Sequence, residues 1–349
     1  MKTEAVFRRA GRCALLVAAL GGVFACAGSE SVIIVYSPHG PEQLRLFERS
    51  FESLNPAIDV QWVDMGSQEI LDRVRSERPN PQGDVWYGGP DVFFARAAAE
   101  GLLEAYRPSW AEAVPPEARG ADDLYFGVYF TPAVITFNSD AVAPDEAPQD
   151  WDEILAPRWK GKVLIRDPLA SGTMRTIFGM VMYRSIQETG DTAAGYEWLR
   201  RLDAQTKEYV LNPAILYQKL SRQEGLVTLW NLPDVLRVRQ QGLPLDYVLP
   251  ASGTPVLVDG IAVIKGSRHP QLAHAFVDYI GSVEGQLLAA RQAYRNVART
   301  DLPSDSLPDW LVRVQDQLRP MDLDWEMLEA RGREWMKYWD SQIRGSSRR

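Results

Sequence analysis

The chain reads as an α/β protein of two lobes, each a mostly parallel sheet flanked by helices, the lobes joined by two crossover strands. Short β-branched runs alternate with helical patterns of 3.6-residue period. Two apolar extended stretches, Tyr125 to Asn138 and Val256 to Ile264, are long enough to leave one sheet and pair in another. At 349 residues the chain also exceeds what one core usually supports.

The elements follow in order. Val32 to Tyr36 is a strand, broken by Ser37-Pro38-His39-Gly40. Leu44, Phe47, Phe51 and Leu54 stand at helical spacing, with Pro41 suited to a first turn and Asn55-Pro56 as the stop. Asp59 to Val63 is the second strand, Ile70 to Arg78 a short amphipathic helix, and Asp84 to Tyr87 a third strand ending at Gly88-Gly89-Pro90. Between the long stretches lie strands at Val163 to Arg166 and Leu226 to Trp230. They are interspersed with helices at Met174 to Glu188, Ala193 to Leu202 and Ala214 to Ser221. Helices His269 to Ile280 and Val283 to Ala293 return to the first lobe, and the Trp-rich segment to Ile343 reads as a helical cap on it. The expected division is 32–131 with 262–349 as lobe one and 132–261 as lobe two.

The first thirty residues depart from this pattern. Lys2, Arg8, Arg9 and Arg12 precede an apolar run from Cys13 to Phe24, shorter than the ~20 residues a membrane-spanning helix needs. Residues 1–25 read as a signal peptide, and Val23-Phe24-Ala25-Cys26 resembles a lipobox, which makes Cys26 a lipidation site and 26–31 a tether. Ala25-Cys26-Ala27 would equally serve ordinary cleavage and free secretion. The expected location is the periplasm or cell envelope, with the membrane touched only through the anchor. Loss of residues 1–25 removes four basic groups and one acidic group, moving the formal charge from −8 to −11. That surface argues against nucleic acid. With both cysteines in or beside the discarded segment, no disulfide and no thiolate zinc site is expected in the body.

Several passages resemble the extracellular solute-binding proteins related to ferric-ion, phosphonate and hexose-phosphate receptors. They are Val32 to Ser37, Asp84-Val-Trp-Tyr-Gly-Gly-Pro90, Ala147-Pro-Gln-Asp-Trp-Asp-Glu-Ile-Leu155, Arg158-Trp-Lys-Gly-Lys162, Asp167-Pro-Leu-Ala-Ser-Gly-Thr173, Asp259-Gly-Ile-Ala-Val-Ile-Lys-Gly266 with Arg268-His-Pro270, and Ala275 to Val283. The resemblance implies the type II periplasmic-binding-protein fold and a monomeric receptor subunit of an ABC importer. Such a receptor closes over a small molecule and delivers it to permease and ATPase partners, with no cofactor.

In an open α/β sheet, ligands bind beyond the carboxyl ends of the strands, so the loops Ser37 to Gly40 and Trp86 to Asp91 should share one crevice. Ser171, Gly172 and Thr173 stand between a strand and a helix, where unpaired N–H groups can cradle an anion or Ser171 can simply cap the helix. The resemblance tilts that turn toward the anionic head of a ligand, with Ser37 as the facing clamp. Asp234 and Asp259 could accept hydrogen bonds from hydroxyls or an ammonium, or serve only as a helix cap and a strand end. Trp86, Tyr87 and Trp230 are candidate apolar walls, with core packing as the alternative for each, as for Tyr129. His39, Gly88 and Asn231 complete the candidate set. Ferric receptors of the family carry adjacent tyrosines where this chain reads Trp230-Asn231-Leu232-Pro233-Asp234, so a tyrosinate iron site is not expected. The favoured ligand is an organic anion with phosphate or phosphonate; ferric ion with a synergistic anion and a polyamine are the alternatives.

An enzyme has little to work with. Only His39, His269 and His274 are present, and Gly-x-Ser-x-Gly, His-Glu-x-x-His and phosphate-loop motifs are absent. A periplasmic phosphate-ester enzyme and a purely structural lipoprotein are the rival classes.

Overall fold

The computed structural model describes residues 31–345. The tether and lipidation readings centred on Cys26, and the signal peptide, fall outside the described residues. The elements run in chain order as β1 (Ser31–Ser37), α1 (Pro41–Leu54), β2 (Ile58–Asp64), α2 (Ser67–Glu77), β3 (Val85–Pro90), α3 (Asp91–Ala99), β4 (Leu103–Glu104) and β5 (Phe126–Asn138). Next come β6 (Val163–Arg166), α4 (Gly172–Thr189), α5 (Ala193–Gln205), β7 (Thr206–Val210), α6 (Pro213–Ser221), β8 (Val227–Asn231), α7 (Leu232–Gln240) and β9 (Leu245–Val248). The chain ends with β10 (Val256–Ile264), α8 (Pro270–Gly281), α9 (Val283–Gln292), β11 (Asn296–Val297), α10 (Asp309–Gln317) and α11 (Trp325–Tyr338).

The strands join in the order β2-β1-β3-β10-β5-β8-β6-β7. The outer pairs β1–β2, β1–β3, β6–β7 and β6–β8 are parallel, whereas β10 and β5 run antiparallel to their neighbours. The first long stretch therefore behaves as a crossover, while β10 pairs with strands of the first lobe. Residues 126–132 of β5 pair with β10 in the first lobe, and 133–138 pair with β8 and β9 in the second. Thr206–Val210 is a strand the sequence pattern does not signal, because Lys207 and Glu208 stand outward on a sheet edge and blur the alternation.

Lobe one is a sheet with apolar layers on both faces. Val35 and Tyr87 pack with Phe47, Phe51 and Phe276 on one side; Tyr36 and Trp86 pack with Ile70, Leu71 and Phe94 on the other. Lobe two has a core of Val163, Ile165, Leu229, Ile177 and Phe178. The C-terminal segment departs from the expected cap on lobe one. Leu311 of α10 joins the first lobe, but Val314, Leu323, Leu328, Trp335, Met336, Trp339 and Ile343 belong to the lobe-two core. Trp339 lies edge-on to Phe178 and Tyr209, at ring distances of 5.4 and 5.2 Å. Close approach is possible because α4 carries Gly179 there: a Cβ at that position would stand 3.2 Å from Leu328.

Candidate ligand-binding site

The lobes meet over a cleft whose rim is made of strand-to-helix turns. Lobe one contributes the turns after β1 and β3, lobe two the first turns of α4 and α7. Gly172 faces Pro90 across the gap, with Pro90 Cγ at 3.7 Å from where a Cβ would be. On one side of that contact, Gln241 Nε2 donates to Glu42 at 3.0 Å and Arg237 stands 3.6 Å from the same carboxylate. On the other side, Arg96 of α3 pairs with Glu329 of α11.

The candidate residues fall on both lobes, and of them Gly172 and Asp234 line the interlobe cavities. Ser37 is buried, and its Oγ accepts from the His39 backbone N–H at 3.2 Å, a local turn that orients the loop. Gly88 adopts φ +93°, and a Cβ there would lie 2.2 Å from His39 Nε2, so only glycine lets the two loops touch. Ser171 caps α4 by accepting from the Met174 N–H at 3.3 Å, which leaves the N–H groups of Gly172 and Thr173 without intrahelical partners at the cleft. Asn231 caps α7 by accepting from the Asp234 N–H at 3.0 Å.

The two carboxylates have internal partners. Asp234 Oδ2 accepts from Tyr217, Trp230 and Asn231 at 2.8, 3.0 and 3.1 Å. Burial alone would push its pKa up, but Arg237, Arg295 and the donors from Tyr217 and Asn231 outweigh it and hold Asp234 below the ordinary carboxylate value. Asp259 accepts from Thr131 Oγ1 at 2.9 Å and from Arg295 at 3.4 Å; burial raises its pKa against those two partners.

Arg295 is the residue sequence reasoning misses. It follows Tyr294, whose left-handed backbone (φ 53°) turns the chain back toward the cleft. Its Nη2 donates to Gln43 Oε1 at 2.7 Å and to His39 Nδ1 at 2.9 Å, and its Nε donates to Gln43 at 2.9 Å. Because the guanidinium can only donate, the imidazole proton sits on Nε2. Burial and then the Arg295 charge hold His39 well below its usual pKa, hence neutral. Gln43 in turn donates to Tyr87 Oη at 3.1 Å, and Tyr87 meets Tyr129 at 2.7 Å. Thus Tyr87 contributes a phenol to the network while its ring remains core. Trp86 stacks on Phe94 at 4.4 Å on the opposite face of the sheet, and Trp230 lies in the lobe-two core. Neither tryptophan lines the interlobe cavities described next, so the apolar walls come from elsewhere. Strand alternation carried the signal: Trp86 and Tyr87, as neighbours in a strand, had to face opposite ways.

Two cavities lie between the lobes, and Pro90 and Gly172 line the larger. One of about 350 Å³ is lined by Gln43, Leu46, Pro233, Asp234, Arg237 and Arg295 among others. The other, about 420 Å³, lies between α3, the first turns of α4 and α11.

Two lobes over a cleft rimmed by helix N-termini form an architecture suited to enclosing a small solute. The chain belongs to the bacterial extracellular solute-binding proteins, whose family pattern matches residues 84–330. A Sinorhizobium fredii protein, y4fP, named as an ABC transporter periplasmic-binding protein, is 26% identical over 89% of this chain and 86% of its own length. A Salmonella typhimurium periplasmic protein named for binding 2-aminoethylphosphonate is 26% identical over 82% of this chain and 86% of its own. The structure of AfuA from Actinobacillus pleuropneumoniae with fructose-6-phosphate bound superposes with a TM-score of 0.76. It shares 25% identity over 90% of this chain and 99% of its own. Iron-bound HitA from Pseudomonas aeruginosa shares the fold, with a TM-score of 0.75 at 21% identity over 88% of this chain and 98% of its own. The protein is the periplasmic solute-binding subunit of an ABC transporter, not an enzyme. Among the described residues no helix is long and apolar enough to cross a membrane.

Proposed function

We propose that the imported solute is an organic anion bearing a phosphate or phosphonate, captured between the lobes and released to the permease when they part. The observation that carries this reading is the first turn of α4: it opens into the cleft opposite Pro90, with Gly172 and Thr173 presenting N–H groups beneath the Ser171 cap. An 18-residue helix brings the positive end of its dipole to that point. Arg175 lines the adjoining cavity. The relatives named for an aminophosphonate and solved with a sugar phosphate support the same chemistry. Closure follows if the ligand bridges the Ser37 turn and the α4 turn, since both can touch it only when the lobes meet.

The carboxylates remain candidate acceptors for a ligand hydroxyl or amine, in competition with the protein's own groups. Asp234 and Asp259 are already engaged by Tyr217, Trp230, Asn231, Thr131 and Arg295, so a ligand hydroxyl or amine would have to share or displace those partners. A tyrosinate iron site lacks its phenolates at Pro233 and Asp234. The expected lipid anchor at Cys26 belongs with this reading and is testable by mass spectrometry of the mature N-terminus.

A thermal-shift screen of the purified protein tests the ligand class, because a ligand at 100 times its Kd stabilises by about 2.7 kcal/mol. Stabilisation by fructose-6-phosphate or 2-aminoethylphosphonate, and not by ferric citrate or spermidine, is the expected result. A shift with iron or polyamine alone would overturn the choice of ligand and leave the receptor class intact.

A further inference from the structure

The larger interlobe cavity has a composition that the described fold does not need. It is lined by four cationic side chains, Arg96, Arg175, Arg333 and Lys337, against two carboxylates, Asp91 and Glu329, in a chain whose formal charge is −8. Arg96 is paired with Glu329. Among the described residues Arg175 donates to the carbonyls of Pro168 and Leu169. Its pKa is lowered by burial and by the nearby charges of Arg96 and Arg333, against that of Asp167. Arg333 and Lys337 lie four residues apart on α11, and neither side chain has a hydrogen-bond or ion-pair partner among the described residues. Apolar side chains of the same elements line the cavity beside them: Phe93 from α3, and Trp325, Leu328 and Met336 from α11. Arg175, Arg333 and Lys337 are solvent-exposed, and what sets them apart from ordinary surface cations is that they line one concavity together.

We propose that this cavity seats the body of the ligand, making the solute a phosphate or phosphonate ester with an apolar, ring-sized moiety. That moiety lies against Trp325, Leu328 and Met336, with the anion between the first turn of α4 and the Arg175–Arg333–Lys337 cluster. The inference rests on the organic-anion reading of the cleft. A single molecule can satisfy both, because Gly172, Arg175 and Thr176 of α4 line the same cavity. Its volume of about 420 Å³ is that of a small-molecule pocket and exceeds what a two-carbon aminophosphonate fills. An arriving anion would relieve the mutual repulsion of the arginines and take the place of the water around them.

The probe is 1-naphthyl phosphate, with 1-naphthol and inorganic phosphate as controls, followed by thermal shift and by quenching of tryptophan fluorescence. The expected result is that 1-naphthyl phosphate binds at least about tenfold tighter than either control, and that the double variant R333Q/K337Q loses about tenfold or more of that affinity. The ligand-free melting temperature of the double variant should not move. Failure of the wild-type protein to bind 1-naphthyl phosphate, or equal affinity in the double variant, overturns the proposal. Ser171→Asp separates the two readings. If it leaves 1-naphthyl phosphate binding intact while R333Q/K337Q weakens it, the cavity stands and the α4 cradle falls. If fructose-6-phosphate binding is lost in Ser171→Asp but indifferent to R333Q/K337Q, and 1-naphthyl phosphate does not bind, the cradle stands and the cavity falls.

Discussion

On the α1–α7 side of the cleft, Arg295, Asp259, Asp234 and Arg237 are tied into one another and into Gln43, His39, Thr131 and Tyr217, whereas on the α3–α11 side cations outnumber carboxylates and two of them have no partner among the described residues. The two cavities are of similar size and belong to one interlobe space, yet their charges are matched in opposite ways. A buried polar network holds a particular arrangement of chain, because breaking any member leaves a buried group without a partner; within it His39 Nε2, facing Gly88, has no acceptor among the described residues. Solvent-exposed cations gathered in a concavity cost the free protein little and are available to an anion. The first side therefore reads as scaffold, the second as receptor, although the residues that sequence motifs single out are spread over both.

The largest effect should come from breaking the scaffold. Arg295→Met leaves Asp259 buried without its cation, with the Thr131 hydroxyl as its remaining partner; the Arg295 and Asp259 side chains are 13% and 8% exposed. The expected loss is about 3–5 kcal/mol in urea denaturation, against within about 0.5 kcal/mol for Arg333→Gln on the other side. An unchanged midpoint for Arg295→Met would erase the distinction between the two sides.

Asp91 gives the next effect, from the receptor side. Its pKa is pushed up to about 6, first by burial and then, against its backbone hydrogen bonds, by the charges of Asp259 and Glu329. A carboxyl whose folded pKa is raised contributes stability below its ordinary value of 3.8, and that contribution is lost as pH rises through 6. At neutral pH the ionised group therefore costs up to about 3 kcal/mol, an upper bound for a group that solvent still reaches. Asp91→Asn should match the wild type at pH 4 and exceed it at pH 7.5, the difference opening between those values in chemical denaturation. A difference independent of pH would show that Asp91 is not the group that titrates.

How far the sequence disclosed these features depends on the range over which each one acts. The central strands of both lobes and the crossover β5 were legible because contiguous apolar runs report their own burial, whereas the edge strand Thr206–Val210 was not. The Ser171 cap was legible because a cap is completed within three residues, whereas at α7 the cap expected of Asp234 is Asn231, three residues earlier. Arg295 was not: an isolated arginine in a short connection acquires its role only when the chain brings it to His39 and Gln43, more than 250 residues away. The amphipathic pattern of α11 announced a buried face without naming its partner, which is why the C-terminal segment was expected on lobe one and packs on lobe two. Its cations, Arg333 and Lys337, were invisible as a site for the same reason.

The smallest effect sharpens the comparison most, because Ser171 sits at the boundary between the two sides. As a cap it is worth about 1 kcal/mol, so Ser171→Ala should lower stability by that amount, and Ser171→Asp should restore it, aspartate being as good a cap as serine. The two substitutions differ in what they do to an anion. Alanine leaves the Gly172 and Thr173 N–H groups and the dipole in place, whereas aspartate puts a negative charge on the turn that would hold the phosphate. If the turn is a cradle, affinity for fructose-6-phosphate should fall modestly in Ser171→Ala and by more than about tenfold in Ser171→Asp, opposite to the order of their stabilities. If the turn is only a cap, affinity should be the same in both variants. The anion would then belong wholly to Arg175, Arg333 and Lys337, and the cleft would recognise its solute through side chains of lobe two and the C-terminal helix rather than through the backbone of α4.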